Sequence, residues 1–378
     1  MQITFAAESG STDQFVPWLR ALNEAGHSGG LLSLDGHYGG SDDCGYALDD
    51  ICSFDDARAP AEKERHRERA RGTAAYVESC LQRNKPDWLV VWGNATTAQR
   101  AAAAAAGRVG VPACYSELGW FRRQPGAART LLFDTIGLKE RRTELSLELW
   151  DRRLTAEEDA ELDSYIAWWK ANKSSKHNQF DAELPAEVRD AEKPVLLVLL
   201  QFDGDSAGHF AEGSTTQTAV MTEVRLATVP ERGSQRDWLI FVKEHPAHIR
   251  SAEPHDGEVW ARDVNLHDCL QVARCVVTAN SNAGLEAMLY EKPVICLADA
   301  PYGRLGFTRD CRDGGTLERM LARALDMRPP NLDNRFLRSF LHYVIFDYCL
   351  HHSEAERLVE KLAGAVARTT GGALAHAR

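Results

Sequence analysis

The feature that most limits what this chain can fold into is a set of short, wholly apolar runs, each followed directly by polar residues. Residues 194–200 read PVLLVLL and end in Gln201-Phe202-Asp203-Gly204-Asp205-Ser206. Residues 239–242 (LIFV) end in Lys243-Glu244-His245-Pro246, and residues 275–278 (CVVT) end in Ala279-Asn280-Ser281-Asn282. A further apolar run follows at 294–297. Uninterrupted runs of this kind fit strands of a parallel sheet covered by helices on both faces. In open parallel sheets, ligands bind outside the carboxyl ends of strands, where helix N-termini present free backbone N–H groups. A lysine, an imidazole and a Ser/Asn helix start delivered to those ends suit a phosphate-containing ligand.

The rest of the chain supports an α/β reading. Strands are expected at 1–6, 31–34, 87–92 and 111–115, with helices at 12–25, 57–83 and 97–107 between them. The helix at 57–83 is charged and expected on the surface, and the Gly/Asp-rich residues 37–53 read as loop. This alternation describes one doubly wound half. Residues 140–173 have helical character, and 172–184 are polar enough to read as an exposed connector. Helices at 216–227, 284–290 and 314–326, and one or two over 335–367, complete the second half, with a frayed tail from Thr369. A chain of 378 residues supplies two cores. The expected division is an N-terminal domain at 1–190, a second at 191–330, and C-terminal helices at 331–378 that are free to cross back to the first.

Composition narrows the function class. A net charge of −11 and a pI near 5.7 argue against a general nucleic-acid-binding surface. Nine scattered cysteines without a CxxC pair fit free thiols in a reducing cytoplasm. No signal peptide or 18-residue apolar run is visible, so a cytoplasmic protein is expected, with peripheral association at the inner membrane still compatible. No HxH or HExxH pattern supports a metal, and no metal or cofactor is expected. Asp42-Asp43 and Asp49-Asp50 read as wet acidic loops. Asp203-Gly204-Asp205 is formally a DxD, the signature of metal-dependent transferases, but sits inside QxxxDS. The aromatic pairs at Trp168-Trp169 and 343–348 read as core.

Four polar clusters follow strands: Glu117-Leu118-Gly119, residues 201–206, residues 243–246 and residues 280–282. Their order, ExG, QxxxDS, KxHP, then NSNxGxEAxxxxKPVI and YGRLGFT at 302–308, resembles the retaining β-Kdo transferases of capsule and lipopolysaccharide assembly. Those enzymes belong to a sialyltransferase-like group of GT-B glycosyltransferases that use CMP-sugars and share a D/E-D/E-G motif, an HP motif and a serine motif. The resemblance spans residues 117–308, with Asn334-Arg335-Phe336-Leu337 as a weaker echo. Leu118 departs from the acidic second position of the first motif, and the first hundred residues carry no match.

The resemblance implies an α/β GT-B fold, two Rossmann-like domains facing each other across a cleft, and a set of roles. Asp205 would attack the anomeric carbon of the donor sugar, with Asp203 as its neighbouring competitor. Two displacements need a carboxylate nucleophile and a second acid/base group. Glu117 would be that base, deprotonating the acceptor hydroxyl. His245 would contact the CMP phosphate and assist its departure, with Lys243 adding charge. Ser281 and Asn282 would hold phosphate or cytidine, Glu286 the ribose hydroxyls, and Gln201 would orient Asp205 or bind the sugar beside Ser206. Gly204 would let the backbone approach that sugar. Each residue has a plainer reading. His245 then closes a strand, Ser281 and Asn282 cap a helix, and residues 203–206 form a solvated turn. The activity implied is transfer of Kdo from CMP-Kdo to an oligosaccharide or lipid-linked glycan in capsule or O-antigen synthesis. Two rivals are an inverting transferase for another CMP-ulosonic acid, such as a sialic acid, and a non-catalytic nucleotide-sugar-binding module.

Overall fold

The computed structural model of the chain describes all residues except 40–44, 125–127, 139–142, 229–237, 247–249, 312–315, 325–331 and 376–378. It divides into two compact units, Met1–Glu144 with Val344–Arg378, and Leu145–Tyr343.

The first unit runs β1 (Gln2–Ala7), α1 (Val16–Glu24), β2 (Ser28–Ser33), α2 (Leu48–Arg58), α3 (Lys63–Asn84), β3 (Trp88–Trp92), α4 (Thr97–Arg108), β4 (Ala113–Leu118) and β5 (Leu131–Asp134). Its sheet order is β12 (Cys349–Leu350), β5, β4, β3, β1, β2, with β1 to β4 parallel and β5 antiparallel to β4. Side chains alternate between two buried faces, as a strand's period of two requires. Ile3, Phe5 and Ala7 pack with Trp18 and Leu22 of α1, while Ala6, Leu89 and Val91 pack with Ala74, Val77 and Ala101 of α3 and α4. Thr96 starts α4 with a capping box to Gln99, which satisfies two otherwise orphaned N–H groups.

The second unit begins with α5 (Ala156–Ala171) and α6 (Ala186–Arg189), then β6 (Val195–Leu199), α7 (Ser206–Phe210), α8 (Gln217–Thr228) and β7 (Leu239–Lys243). It continues through β8 (Glu258–Ala261), α9 (Leu266–Val272), β9 (Ala273–Thr278), α10 (Ala283–Leu289), β10 (Val294–Cys296), β11 (Arg309–Asp310), α11 (Leu317–Ala324) and α12 (Arg335–His342). Its sheet is wholly parallel in the order β11-β10-β9-β6-β7-β8. Leu196, Val198, Val277 and Ile295 bury against Val220, Met221 and Val224 of α8 and Leu321 of α11. The chain moves outward from β6 through β7 to β8, then returns to place β9 on the other side of β6. That reversal makes a switch point at the carboxyl ends of β6 and β9.

Several expectations are corrected. The division falls at 144/145, not near 190, because residues 156–175 pack within the second unit: the Trp169 and His267 rings lie 4.2 Å apart between centroids, tilted by 43°, and Ser175 bonds Glu286. After a π-helical turn at Tyr343–Tyr348, the chain adds β12 (Cys349–Leu350) to the first unit's sheet edge. It ends in α13 (Ala355–Ala375), whose Leu358 and Leu362 join that unit's core. The helices after 331 are therefore split between the units. Residues 37–53 are not all loop, since α2 buries Ile51, Cys52 and Phe54, and α3 buries Ala70, Ala74, Val77 and Leu81 rather than lying wholly on the surface. The eight cysteines among the described residues are free. Asp42, Asp43 and part of the helix expected at 314–326 lie outside the described residues. Among the described residues, no helix is long and apolar enough to cross a membrane.

Candidate functional site

The carboxyl ends of β6, β7 and β9 open onto one recess in the second unit. Its cavity volume is about 150 Å³, and it is open to solvent on one side. Gln201, Asp205, Lys243, His245, Ser281, Asn282 and Glu286 all line it. Seven of the nine residues singled out from sequence thus converge, because parallel pairing sets their strand ends side by side. Thr278 Oγ1 also ties β9 to β6 by donating to the Leu199 carbonyl at 3.2 Å.

The two carboxylates of the DxD have separate jobs. Asp203 accepts from the backbone N–H of Gln217 at 2.7 Å and from the Ser251 hydroxyl, so it fixes the start of α8 and does not line the recess. Asp205 lines the recess and is the N-cap of α7, its Oδ1 accepting from Ala207 N at 2.9 Å. A Cβ at Gly204 would lie 2.7 Å from the exposed Phe202 ring, so that ring would have to shift to admit another residue. Ser206 opens α7, buried, and does not line the recess. Gln201 is buried, and its Nε2 has no hydrogen-bond partner among the described residues, so this donor is not spent on orienting Asp205.

Lys243 differs most from its sequence reading. It is 5% exposed, and its Nζ donates to the carbonyls of Glu244 at 3.2 Å and Arg262 at 2.8 Å. Burial pushes its pKa below the ordinary lysine value. The ammonium therefore supports the β7–β8 strand ends as well as lining the recess. Glu244 beside it is held by Arg250 through two bonds of 2.9 Å.

At the start of α10, Ser281 Oγ accepts from Ala283 N at 3.3 Å, and the Tyr302 hydroxyl donates to the Ser281 carbonyl. Asn282 occupies the N-cap position with helical dihedrals and makes no side-chain cap bond. Plain capping thus accounts for Ser281 but not for the Asn282 amide. Since α10 has only seven residues, recognition there rests on side chains and individual N–H groups more than on a long helix dipole. Gly284 is required by Tyr302, whose ring and hydroxyl would collide with any Cβ. Glu286 is 4% exposed, and its Oε1 accepts from the Ser175 hydroxyl at 2.9 Å.

Glu117 belongs to the first unit. It lies inside β4, opposite Leu132 of β5, rather than in a loop after the strand. The polar pair Ser116-Glu117 hid that strand's length, although Ser116 is fully buried.

Sequence reasoning missed Ser175, Lys176, His177 and Gln179, which line the recess from the supposed connector. It also overlooked the role of Asn280. That residue is 5% exposed and donates from Nδ2 to the carbonyls of Ala207 at 3.2 Å and Asp299 at 3.0 Å. Those bonds fix its amide so that Oδ1, without a partner among the described residues, remains an acceptor in the lining. Among the described residues, no group of three His, Cys, Asp or Glu side chains is placed to hold a metal ion.

Comparison with known proteins places this geometry in a family. Residues 157–349 match the capsule polysaccharide biosynthesis protein family, a stretch that includes every lining residue of the recess. Protein FixF of Sinorhizobium fredii (strain NBRC 101917 / NGR234) is 32% identical over 122 residues, which cover 31% of this chain and 29% of that protein. Two solved structures from Thermosulfurimonas dismutans share the fold. KpsC, beta Kdo 2,4 transferase, is 18% identical with a TM-score of 0.58, over 90% of this chain and 89% of its own. KpsC, beta Kdo 2,7 transferase, is 17% identical with a TM-score of 0.54, over 94% and 99%. The α/β architecture of two Rossmann-like units is the GT-B fold. With its family match covering the whole recess and more than half of its residues, the chain belongs to the capsule polysaccharide biosynthesis proteins.

Proposed function

We propose that this chain is a retaining glycosyltransferase that moves Kdo from CMP-Kdo to a carbohydrate acceptor in capsule or O-antigen synthesis. The observation that carries the reading is the convergence of Asp205, His245, Ser281, Asn282 and Glu286 on one recess at a switch point. In this reading Asp205 attacks the anomeric carbon while the bond to the CMP phosphate oxygen breaks and its electron pair leaves with CMP. The bond from Ala207 N fixes the Asp205 rotamer for that attack. His245, Ser281 and Asn282 stabilise charge on the departing phosphate, and Glu286 takes the ribose hydroxyls. The acceptor hydroxyl then displaces Asp205, giving its proton to Glu117, and two inversions produce retention. Gln201 Nε2 donates to the sugar. No metal or cofactor takes part, and the acceptor is an oligosaccharide or lipid-linked glycan met at the cytoplasmic face of the inner membrane.

One observation favours a second reading, single displacement with another CMP-linked ulosonic acid: Asp205 already has a structural duty as the cap of α7. Thermal unfolding with CMP, UDP and GDP tests the donor. At a nucleotide concentration of about 100 times Kd, CMP is expected to add about 2.7 kcal/mol of stability while the other two add little. Equal shifts with all three would overturn the donor assignment.

A further inference from the structure

The segment between α5 and α6 is fixed over the recess along its length. Lys173 Nζ meets Asp268 at 2.8 Å, and His267 Nε2 bonds the Ser174 carbonyl at 2.9 Å. Ser175 donates to Glu286, Gln179 Oε1 accepts from Leu266 N at 3.3 Å, and Ala182 N donates to the Asp263 carbonyl at 3.0 Å. A polar run without helix or strand is held here by side chains of α9 and α10 and by backbone groups of Leu266 and Asp263. Its middle carries His177 into the lining, where its ring meets that of His245 at 6.0 Å between centroids and 72° between planes.

We propose that His177 is a second phosphate-binding residue of this site, acting with His245 on the anionic group of a nucleoside monophosphate. The inference rests on the nucleotide reading above and adds a residue to it. Two imidazoles set nearly perpendicular beside one space present donors to a tetrahedral oxyanion from two directions, which a single histidine does not do. Lys243, the cation carried by β7, spends two of its three Nζ donors on backbone carbonyls, so the two imidazoles add donors that it does not supply. The pair thus comes from two separate segments, one at the end of β7 and one on the segment between α5 and α6. The segment's attachment to Glu286 through Ser175 links the phosphate end of the ligand to its ribose end.

Titration calorimetry of the full chain with CMP and with cytidine tests this. The His177 side chain is exposed at the rim, so His177→Ala leaves the fold intact. The expected result is a loss of CMP affinity of roughly tenfold, the order of one charge-assisted hydrogen bond, with cytidine affinity unchanged. His245→Ala should show the same selectivity, and the double variant should lose less than the product of the two. CMP affinity within twofold of the wild type in His177→Ala, with His245→Ala still impaired, overturns this inference and leaves the nucleotide reading standing. Equal loss of CMP and cytidine shows that His177 only shapes the wall, and overturns it too. A wild-type protein that binds no CMP overturns both.

Discussion

Replacing Lys243 with methionine separates structural support from ligand recognition at the end of β7. The substitution removes the bonds to the Glu244 and Arg262 carbonyls and leaves both acceptors short of a partner, at about 1–3 kcal/mol each. Against this, the cost of burying an ammonium disappears, and an unbranched apolar chain fills much of the same space. The net expectation is a loss of about 2 kcal/mol, read as a lower urea midpoint at unchanged slope. CMP affinity should stay within about threefold, since the ammonium's bonds are to the protein. The pH dependence has a definite sign. Burial holds the folded-state pKa below the ordinary 10.5, so the wild type carries the full penalty below that folded value and sheds it as pH rises toward the unfolded one. The stability gap between wild type and Lys243→Met should therefore widen as pH climbs toward 10.5. A variant with wild-type stability and CMP affinity reduced more than about tenfold would refute the reasoning and make Lys243 a ligand cation.

Three further outcomes follow from the same geometry. Asp203→Ala removes the acceptor for Gln217 N at the start of α8 and should cost about 1–2 kcal/mol in urea unfolding without preventing reaction at Asp205. Gly284→Ala drives a methyl group into Tyr302, which is fully buried and bonds the Ser281 carbonyl. A loss of about 2–3 kcal/mol together with weaker CMP binding is expected, by unfolding and calorimetry. Thr96→Ala breaks the capping box of α4 in the first unit and should lower stability by about 1 kcal/mol while leaving CMP affinity unchanged.

What the sequence disclosed and what it hid follow one physical division. Runs such as residues 194–200 announce buried parallel strands because every side chain is apolar, and the polar residues after them mark the sheet's binding edge. The converging residues after β6, β7 and β9 were legible for that reason. The wall formed by Ser175, His177 and Gln179 was not, because its order comes from partners 87–111 positions away, including Leu266 and Glu286. Local composition there is that of a solvated loop. Strand β8 was hidden because its four residues are all only partly buried and include Glu258, paired to Arg225 at 2.7 Å. The boundary at 144/145 was missed because α5 has the charged composition of a free surface helix, yet buries Leu162, Ile166 and Trp169 in the second unit. That Asp205 lines the recess while Asp203 does not goes with the bond of Asp203 to Gln217 N, which no spacing in Asp-Gly-Asp encodes.

The proposed double displacement requires a covalent bond between Kdo and Asp205. Incubating Glu117→Gln with CMP-Kdo and measuring intact protein mass tests it directly, since in the proposed mechanism loss of Glu117 as base would let the first displacement proceed and stall the second. A Kdo-sized adduct that vanishes when Asp205→Asn is added is the expected result. An adduct that persists in the double variant, or none in Glu117→Gln alone, contradicts it.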